Sequence, residues 1–475
     1  MGATDGYAAD EYDVVVVGGG PTGENLADRT AAAGLRTVLV EQQLVGGECS
    51  YWACMPSKAL LRPGAAAAHA RAVPGIEVGD TLDAAAVLAR RDAFADHWKD
   101  DDQVAWLRGA GIELVRGHGR LVGERTVRVD DGRTLTARHA VALCTGSVPD
   151  LPDTPGLADA RPWTNREATG ATMVPRRLAV VGGGVVAVEM AAAWRSLGSE
   201  VVLLVRGGHL LGRMEPFAGE LVADGLAAAG VEIRRFTEVV AAGRSGKVRL
   251  TLDDGDEIVA DEVLYATGRR PQTADLGLES VGLEPGSWPA VGEDCLVADV
   301  PGGWLYAAGD LNHRALLTHQ GKYQARIAGA AIAARARGER PDTARWGVHA
   351  ASADPAGPPQ VVFTDPEAAS VGLTLAAAER AGLRVRAVDQ DLGAVAGASL
   401  YADGYTGRAR MVVDLDREVV VGATFVGPGI AELLHAATVA VVGEVPLARL
   451  WHAVPAFPTV SEVWLRLLEA YRDGR

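Results

Sequence analysis

The sequence is poor in cysteine and in net positive charge, and each shortage excludes a class of protein. Four cysteines in 475 residues are too few for a disulfide scaffold, so we expect a reducing compartment. The formal net charge of −15 argues against nucleic acid or an anionic membrane as a partner, because both kinds of binding need basic patches.

Long apolar runs and targeting features are also missing. No window reaches the roughly 18 uninterrupted apolar residues that crossing a membrane requires. The first 13 residues contain neither a basic region nor an apolar run, so they do not predict a signal peptide. We therefore predict a cytoplasmic protein.

The composition is that of a globular protein with more than one domain. Hydrophobic residues make up 48% of the chain and charged residues 23%, which is typical of a folded protein and not of a disordered one. A length of 475 residues exceeds what a single hydrophobic core supports, so about three domains are expected.

A glycine-rich turn follows the first predicted strand, which is a β-branched run at residues 13–17. Gly18, Gly20 and Gly23 have the spacing G-x-G-x-x-G, and the next predicted strand ends on Glu41. Such glycines let a pyrophosphate approach the backbone at a helix N-terminus, and the acid accepts ribose hydroxyls. The order of strand, turn, helix and acid predicts a dinucleotide site.

The same order returns later in the chain. Gly182 and Gly184 begin the second turn, and Ala187 holds the third position, which this fingerprint tolerates. The next strand is followed by Arg206 instead of an acid. An arginine suits a 2′-phosphate, so this site is predicted to prefer NADPH over NADH, with Arg213 as a second phosphate contact. The alternative for Arg206 is a solvated surface arginine.

Two cysteines lie five positions apart just downstream of the first glycine turn. They are Cys49 and Cys54, and Lys58 follows one helical turn further on. A helix N-terminus stabilises a thiolate, so we expect a lowered thiol pKa here. The spacing fits a redox-active dithiol, and it fits two buried structural cysteines equally well.

Further strings make the chain resemble the FAD-dependent pyridine nucleotide-disulfide oxidoreductases, the group of glutathione reductase, dihydrolipoyl dehydrogenase and mercuric reductase. The strings are G-G-x-C-x(4)-C-x-P-S-K at 46–58, T-G-R-R-P at 267–271, Y-A-A-G-D at 306–310, V-F-T-D-P-E at 362–367 and S-V-G-L-T at 370–374. The resemblance implies an α/β fold with two Rossmann-like dinucleotide-binding domains and a C-terminal α+β dimerisation domain.

The resemblance also implies domain boundaries and an assembly. We expect an FAD-binding domain over 1–160, an NAD(P)H-binding domain over 161–285, the remainder of the FAD-binding or central domain over 286–350, and the dimerisation domain over 351–475. The expected assembly is a homodimer whose active site is shared between subunits and takes a small-molecule substrate.

Cofactor contacts follow from the same resemblance. For FAD they are Gly18, Gly20, Gly23, Glu41, Lys58, Thr145, Gly146, Asp310, Thr318 and His319. For NADPH they are Gly182, Gly184, Glu189, Arg206 and Gly268.

The resemblance assigns a role to each cysteine of the pair. Cys54 resembles the thiol beside the flavin, and Cys49 resembles the thiol that attacks the substrate. Lys58, paired with Glu189, would keep a positive charge beside the flavin. Electrons would pass from NADPH through FAD to the cysteine pair and on to an acceptor. The other two cysteines, at positions 144 and 295, match no redox position and are interpreted as buried thiols.

One position departs from the family pattern. The family has His-Pro-Thr-x-x-Glu near its C-terminus, whereas this chain has Phe457 in place of the histidine and keeps Glu462. Phenylalanine cannot take a proton from the attacking thiol or return one. Glu462 is expected to lose the histidine as its partner, and burying its carboxylate as an anion is expected to cost free energy. His452 is a candidate substitute, while His313 and His435 have no motif support.

This departure leaves several functions open. The main prediction is electron transfer to an unidentified thiol or disulfide. One alternative is a carbon–sulfur-cleaving enzyme that protects a carbanion, as a partial resemblance to 2-ketopropyl-coenzyme M oxidoreductase/carboxylase implies. That relative also has phenylalanine here, but has histidine in place of the glutamate. The others are an NADPH diaphorase or quinone reductase, and a flavin-bearing binding module with vestigial chemistry.

Overall fold

The computed structural model describes residues 10–474. The prediction about a signal peptide rests largely on residues 1–9, which lie outside the described residues. Over the described part of the chain, no helix has both the length and the apolar character needed to cross a membrane.

Strands and helices follow one another along the chain, with two runs of consecutive strands at residues 113–149 and 232–271. The strands are β1 (Glu11–Val17), β2 (Thr37–Glu41), β3 (Glu113–Arg116), β4 (Gly119–Gly123), β5 (Thr126–Val129), β6 (Thr134–Leu143), β7 (Ser147–Pro149), β8 (Arg177–Val181), β9 (Glu200–Val205), β10 (Glu232–Arg235), β11 (Val239–Ser245), β12 (Lys247–Leu252), β13 (Glu257–Ala260), β14 (Glu262–Tyr265), β15 (Arg269–Pro271), β16 (Leu305–Ala307), β17 (Gln360–Val362), β18 (Glu367–Gly372), β19 (Val385–Asp391), β20 (Arg408–Asp414) and β21 (Val419–Gly427). The α-helices are α1 (Pro21–Ala32), α2 (Gly47–Tyr51), α3 (Cys54–Arg71), α4 (Ala84–Phe94), α5 (Asp101–Gly109), α6 (Leu157–Ala160), α7 (Asn165–Gly170), α8 (Val185–Ser196), α9 (Pro216–Ala228), α10 (Thr318–Ala336), α11 (Ala353–Ala356), α12 (Leu375–Arg380), α13 (Ala396–Tyr401), α14 (Leu434–Val442), α15 (Leu447–Leu450) and α16 (Val463–Arg472).

The chain forms two compact units. Within the described residues, the first unit takes in the chain up to Met55, Phe94–Pro149 and Arg269–Pro355. The second unit takes in Pro56–Ala93, Asp150–Gly268 and the chain from Ala356 onward.

The first unit is built on a seven-stranded sheet. Its order is β3-β2-β1-β6-β5-β4, and β16 also pairs with β6. Strands β1, β2, β3, β6 and β16 are parallel along their shared edges. The β-branched strand β1 lies between β2 and β6 and is buried over most of its length. The carboxyl ends of these strands therefore meet at one edge, which is where open α/β sheets bind ligands.

The second unit repeats this arrangement and adds an antiparallel sheet. Strands β10-β9-β8-β14 form a parallel sheet in the order that β3-β2-β1-β6 has in the first unit. The C-terminal part forms a five-stranded antiparallel sheet, β17-β18-β21-β20-β19. The predicted fold class, two Rossmann-like domains with a C-terminal α+β domain, is confirmed.

The main core of the second unit lies around the parallel sheet and helix α8. Trp194 on α8 and Leu203 on β9 are fully buried in it. Leu60 of α3 and Val426 of β21 belong to the same cluster. The second dinucleotide fold and the antiparallel sheet therefore share apolar contacts.

Replacing Leu203 by alanine is expected to lower the free energy of unfolding by about 2–5 kcal/mol, because the lost side chain leaves a cavity in a packed core. Denaturant unfolding of the purified protein measures this change. Leu151→Ala, at a position 42% exposed, is the matched control, with an expected change within about 0.5 kcal/mol. Equal effects of the two substitutions would contradict the assigned core.

Candidate active site

The first glycine turn lies between β1 and α1 and leaves no room for side chains at two positions. Gly18 has a φ of +105°, and a Cβ there would stand 2.5 Å from the carbonyl oxygen of Cys144. A Cβ on Gly23 would overlap the carbonyl oxygen of Gly18. Gly20 precedes α1, and a Cβ on it would meet nothing closer than Gly47 at 4.0 Å. The turn thus leaves open space at the helix N-terminus, where backbone N–H groups attract phosphate.

Glu41 ends β2 beside this turn. Its Oε2 accepts a hydrogen bond from the backbone N–H of Gly19 at 2.6 Å, and its Oε1 accepts one from Gln43 at 2.6 Å. Burial raises the pKa of the Glu41 carboxyl, while these hydrogen bonds act in the opposite direction. The structure therefore holds the Glu41 carboxylate beside the first glycine turn.

The second glycine turn, between β8 and α8, repeats the first. Gly182 has a φ of +135°, and a Cβ there would overlap the carbonyl oxygen of Ala266. Gly184 precedes α8, and a Cβ on it would have no neighbour within 4 Å. Arg206 and Arg213 are exposed, and residues 10–474 offer neither guanidinium a hydrogen bond or an ion pair. Two cations are therefore available near this turn.

The cysteine pair lies at the first unit's sheet edge. Cys49 belongs to the short helix α2, and Cys54 is the first residue of α3. Both are half-buried, and neither forms a disulfide within residues 10–474. The sulfur of Cys54 is 3.3 Å from the hydroxyl oxygen of Thr318, the first residue of α10. The structure thus brings Thr318 to the thiol that the resemblance places beside the flavin.

The prediction of a lowered thiol pKa is wrong for Cys49. The hydrogen bond with Cys54 and burial both raise the pKa of the Cys49 thiol. Thr318 and Lys322 act in the opposite direction but do not outweigh these effects. Burying a thiolate costs more free energy than a helix N-terminus provides, since the dipole contributes only about 0.3–1 kcal/mol.

Lys58 and Glu189 form an ion pair in the second unit. Lys58 Nζ is 2.7 Å from Oε2 of Glu189, whose carboxylate is almost fully buried. The other oxygen, Oε1, accepts a hydrogen bond from the backbone N–H of Phe363 at 3.0 Å. The ammonium also lies 5.1 Å from the centre of the Phe363 ring. The carboxylate therefore fixes the position of the lysine head group. Gly268, also in this unit, accepts a hydrogen bond from Asp150.

Asp310 follows β16 and belongs to a chain of polar contacts. Its Oδ2 accepts a hydrogen bond from the Ser147 hydroxyl at 2.6 Å, and Arg269 Nε lies 4.0 Å away. Arg269 donates to Ser147 and, at 2.6 Å, to Oε2 of Glu48. Burial raises the pKa of Asp310.

The remaining residues predicted to contact FAD lie close by in the same unit. Thr145 donates a side-chain hydrogen bond to the carbonyl of Gln272 at 2.9 Å. Gly146 accepts a hydrogen bond from the backbone N–H of Gln272. His319 is exposed on the first turn of α10.

The C-terminal departure from the family pattern lies in the second unit. Phe457 is 75% exposed. With Phe457 in place of the family's histidine, Oε1 of Glu462 accepts a hydrogen bond from Arg466, one helical turn further on, at 2.7 Å. Oε2 of Glu462 is buried, and no hydrogen-bond partner for it lies within residues 10–474. His452 is exposed.

The structure also places the two histidines without motif support and the two cysteines outside the redox pair. His435 is exposed, and His313 stacks on Trp288 at 4.4 Å between ring centres. Cys144 and Cys295 are fully buried, as predicted, and burial raises the pKa of Cys144 to about 12. Thiols of this kind are inert.

Sequence reasoning missed the link from Glu48 through Arg269 and Ser147 to Asp310. Glu48, Arg269 and Asp310 stood in strings that carry the resemblance and Ser147 did not, and only Asp310 received a role. Glu48 and Arg269 lie 221 positions apart, so no local pattern predicts their pairing. The sequence did show one relevant feature, which is that a glutamate directly precedes Cys49.

Comparison with known proteins agrees with this geometry. Residues 12–336 match the family profile described as pyridine nucleotide-disulphide oxidoreductase. Residues 358–467 match the dimerisation domain of the same family. The chain has the fold of the HOCl-induced flavoprotein disulfide reductase RclA from Escherichia coli, with a TM-score of 0.82 and 22% identity over 96% of this chain and 99% of that one.

Several curated proteins are related in sequence. The mercuric reductase of Acidithiobacillus ferrooxidans is 33% identical over 381 residues, which are 78% of this chain and 66% of that protein. The match thus spans slightly less than two thirds of that reductase. Dihydrolipoyl dehydrogenase 3 of Pseudomonas aeruginosa is 32% identical over 386 residues, 76% of this chain and 77% of that protein. The dihydrolipoyl dehydrogenase of Chlamydia pneumoniae is 31% identical over 468 residues, 96% of this chain and 95% of that protein. The chain therefore belongs to the pyridine nucleotide-disulphide oxidoreductases, a family that binds FAD and uses NAD(P)H.

Proposed function

We propose that this protein is an oxidoreductase that passes electrons from NADPH through FAD to Cys49 and Cys54, and on to a small thiol or disulfide substrate. The observation that carries the proposal is the pair of half-buried cysteines, with the Cys54 sulfur 3.3 Å from Thr318. Each of the other two cysteines is fully buried, so this pair is the one with access to a reaction partner.

The residues at the first unit's sheet edge fit FAD. Gly18, Gly20 and Gly23 leave the open space that a pyrophosphate needs, and Glu41 offers a carboxylate for a ribose. Asp310 is the acid for the ribityl chain. When bound, FAD supplies the two-electron carrier between NADPH and the cysteine pair.

The cysteines perform disulfide exchange. The Cys49 thiolate attacks one sulfur of the substrate disulfide, so a mixed disulfide forms and one thiolate leaves. Cys54 then attacks the Cys49 sulfur, the second thiolate leaves, and a Cys49–Cys54 disulfide remains. Because Phe457 cannot exchange protons, the proton of Cys49 has to pass to water or to the substrate.

Lys58 and Glu189 hold a fixed positive charge. The buried Glu189 carboxylate orients the ammonium from one side, and the Phe363 ring lies against it on another. We propose that this charge stands near flavin N5, where it would favour the reduced, negatively charged form.

The proposed assembly is a homodimer with a shared active site. A dimerisation domain is present at residues 358–467. Near its end, Val454 is 84% exposed and Phe457 75% exposed. Two large, exposed apolar side chains this close in sequence are more stable when buried at an interface than when left in water. Phe457 of one chain would then face Cys49 of the other.

A second candidate function is cleavage of a carbon–sulfur bond with protection of a carbanion from protons. The apolar side chain of Phe457, in place of a proton donor, favours it. NADPH oxidation that depends on carbon dioxide, or that yields a ketone from a thioether, would support this candidate against the first.

Gly23→Ala is expected to yield protein without bound FAD, because the added methyl group overlaps the carbonyl of Gly18 and disrupts the turn. The absorbance of flavin per chain after purification measures this. Gly109→Ala serves as the control, since a Cβ there meets nothing within 4 Å. A flavin content of Gly23→Ala equal to that of the control would contradict the proposed cofactor site.

Cys49→Ser is expected to reduce disulfide turnover by at least about a thousandfold, because the attacking thiolate is lost. NADPH oxidation with a quinone or a dye should continue. A screen of NADPH oxidation against disulfides, quinones and thioethers measures both, with Ser50→Ala as the control on the same helix. Unchanged disulfide turnover in Cys49→Ser would exclude the proposed route.

Phe457→His is expected to raise kcat/KM for disulfides by about a hundredfold, the usual contribution of a general acid–base. Phe457→Leu, which supplies no proton-carrying group, should leave it near the wild-type value. Steady-state kinetics with several disulfides test this. If no disulfide shows a gain, the missing histidine is not what limits the reaction.

Arg206→Ala is expected to raise KM for NADPH about tenfold or more while KM for NADH stays nearly constant, since the arginine is proposed to bind the 2′-phosphate. Arg213→Ala should have a smaller effect. Equal changes for the two nucleotides would show that Arg206 does not read the phosphate.

A further inference from the structure

An exposed phenylalanine lies at the carboxyl edge of the second parallel sheet. Phe236 directly follows β10, whose last residue, Arg235, pairs with Val205, the last residue of β9. The Phe236 side chain is 76% exposed. A single exposed apolar side chain is common on a protein surface and needs no explanation by itself. The backbone and the surroundings of Phe236 are what set it apart.

The backbone at Phe236 has a conformation that bulky residues avoid. Its φ is +54°, in the left-handed region, where a Cβ comes too close to the following carbonyl oxygen. Its N–H donates to the carbonyl of Gly207 at 3.3 Å, and the N–H of Thr237 donates to the carbonyl of Val205 at 3.1 Å. Strained residues of this kind cluster at ligand-binding sites. Because the exposed ring adds little to a core, the strain indicates a ligand more than a packing role.

The ring of Phe236 lies against the loop that follows β9. A Cβ built on Gly208 would stand 2.6 Å from Cζ of Phe236, so a side chain at position 208 would displace the ring. The same loop begins with the exposed Arg206, and the N–H of Leu211 donates to the carbonyl of Gly183 in the second glycine turn at 2.8 Å. The phenyl ring, the guanidinium and the glycine turn therefore belong to one edge of the sheet.

The first parallel sheet has a glycine at the corresponding position. Strand β3 pairs with β2 as β10 pairs with β9, and Gly117 follows β3 as Phe236 follows β10. A Cβ on Gly117 would stand 2.6 Å from Cγ1 of Val129, which leaves no room for an aromatic side chain. Of the two dinucleotide folds, the second is therefore the one with an exposed ring at this place.

The strand order predicts which part of a dinucleotide comes near Phe236. In a Rossmann fold the pyrophosphate lies at the glycine turn after the first strand, and the adenosine ribose lies at the end of the second strand. Here these strands are β8 and β9, and the next strand in the sheet is β10. A base that extends from this ribose away from the pyrophosphate reaches the end of β10, which Phe236 follows.

We propose that Phe236 binds the adenine ring of NADPH by stacking, and so holds the adenosine half whose 2′-phosphate is proposed to bind Arg206. The inference rests on the proposed NADPH site at the second glycine turn. Its physical basis is that the flat faces of adenine leave water when they stack on a phenyl ring. Because NADH contains the same base, Phe236 should contribute to the binding of both nucleotides, whereas Arg206 should contribute to that of NADPH alone.

Isothermal titration calorimetry of the oxidised, flavin-loaded protein measures binding without electron transfer. The probes are NADP⁺, NAD⁺ and adenosine 2′,5′-bisphosphate, all of which contain adenine. Phe236→Ala should weaken the binding of each probe about five- to a hundredfold, the range expected for the loss of one base–aromatic stack. The ratio of the NADP⁺ and NAD⁺ dissociation constants should stay within about twofold of the wild-type ratio, since both nucleotides lose the same contact.

Matched variants separate stacking from an effect on the loop. Phe236→Tyr keeps an aromatic ring and should bind all three probes within about threefold of the wild type. Met173→Ala removes an apolar side chain that is 78% exposed in the same unit. Because Met173 precedes β8, it lies toward the opposite edge of the sheet, and its loss should leave binding unchanged.

Two results would overturn the inference while the proposed function stands. One is unchanged binding of all three probes in Phe236→Ala. The other is binding by Phe236→Tyr that is as weak as binding by Phe236→Ala, which would mean that the residue acts on the structure of the loop alone. If the wild type binds none of the three probes, the proposed NADPH site fails and this inference fails with it.

Discussion

The contact between the Cys54 sulfur and the Thr318 hydroxyl joins two stretches that lie 264 positions apart. It forms because β2, β1, β6 and β16 are parallel neighbours, so the segments that follow β2 and β16 start from the same edge of the sheet. The turn after β16 contains Asp310 and leads into α10, whose first residue is Thr318. The sheet thus brings a thiol, a hydroxyl and a carboxylate to one edge of the first unit.

Opposing electrostatic effects meet at Cys49. The hydrogen bond between Cys49 and Cys54 and burial resist ionisation of Cys49, while Thr318 and Lys322 favour it, and the first two dominate. A family member with a histidine near its C-terminus has a proton acceptor for such a thiol, but this chain has Phe457. A thiol that resists ionisation and has no base beside it reacts best with disulfides whose leaving thiol has a low pKa, since such thiols leave faster. Under the proposed function, Phe457 in place of the histidine therefore favours substrate disulfides with a good leaving thiol.

Local patterns predicted much of the fold, because the strand at Val14–Val17, the glycine turns and Glu41 depend on neighbours in sequence. The thiol pKa could not be predicted in this way, since it depends on how deeply α2 is buried and on the Cys54 sulfur. The pairing of Glu48 with Arg269 depends on the assembled sheet edge. The pairing of Glu462 with Arg466 could be predicted from the sequence, because Arg466 lies four residues further on, a spacing at which helical side chains meet. The family motif indicates a histidine partner and not this arginine.

The proposed function requires that electrons from NADPH reach Cys49 and Cys54. An anaerobic titration of the flavin-loaded protein with NADPH, followed by alkylation and mass spectrometry of each cysteine, tests this directly. NADPH is expected to convert the pair from a disulfide to two thiols, which the reagent then alkylates, while Cys144 and Cys295 remain as they were. Oxidation of NADPH with no change in the pair would contradict the proposed electron route.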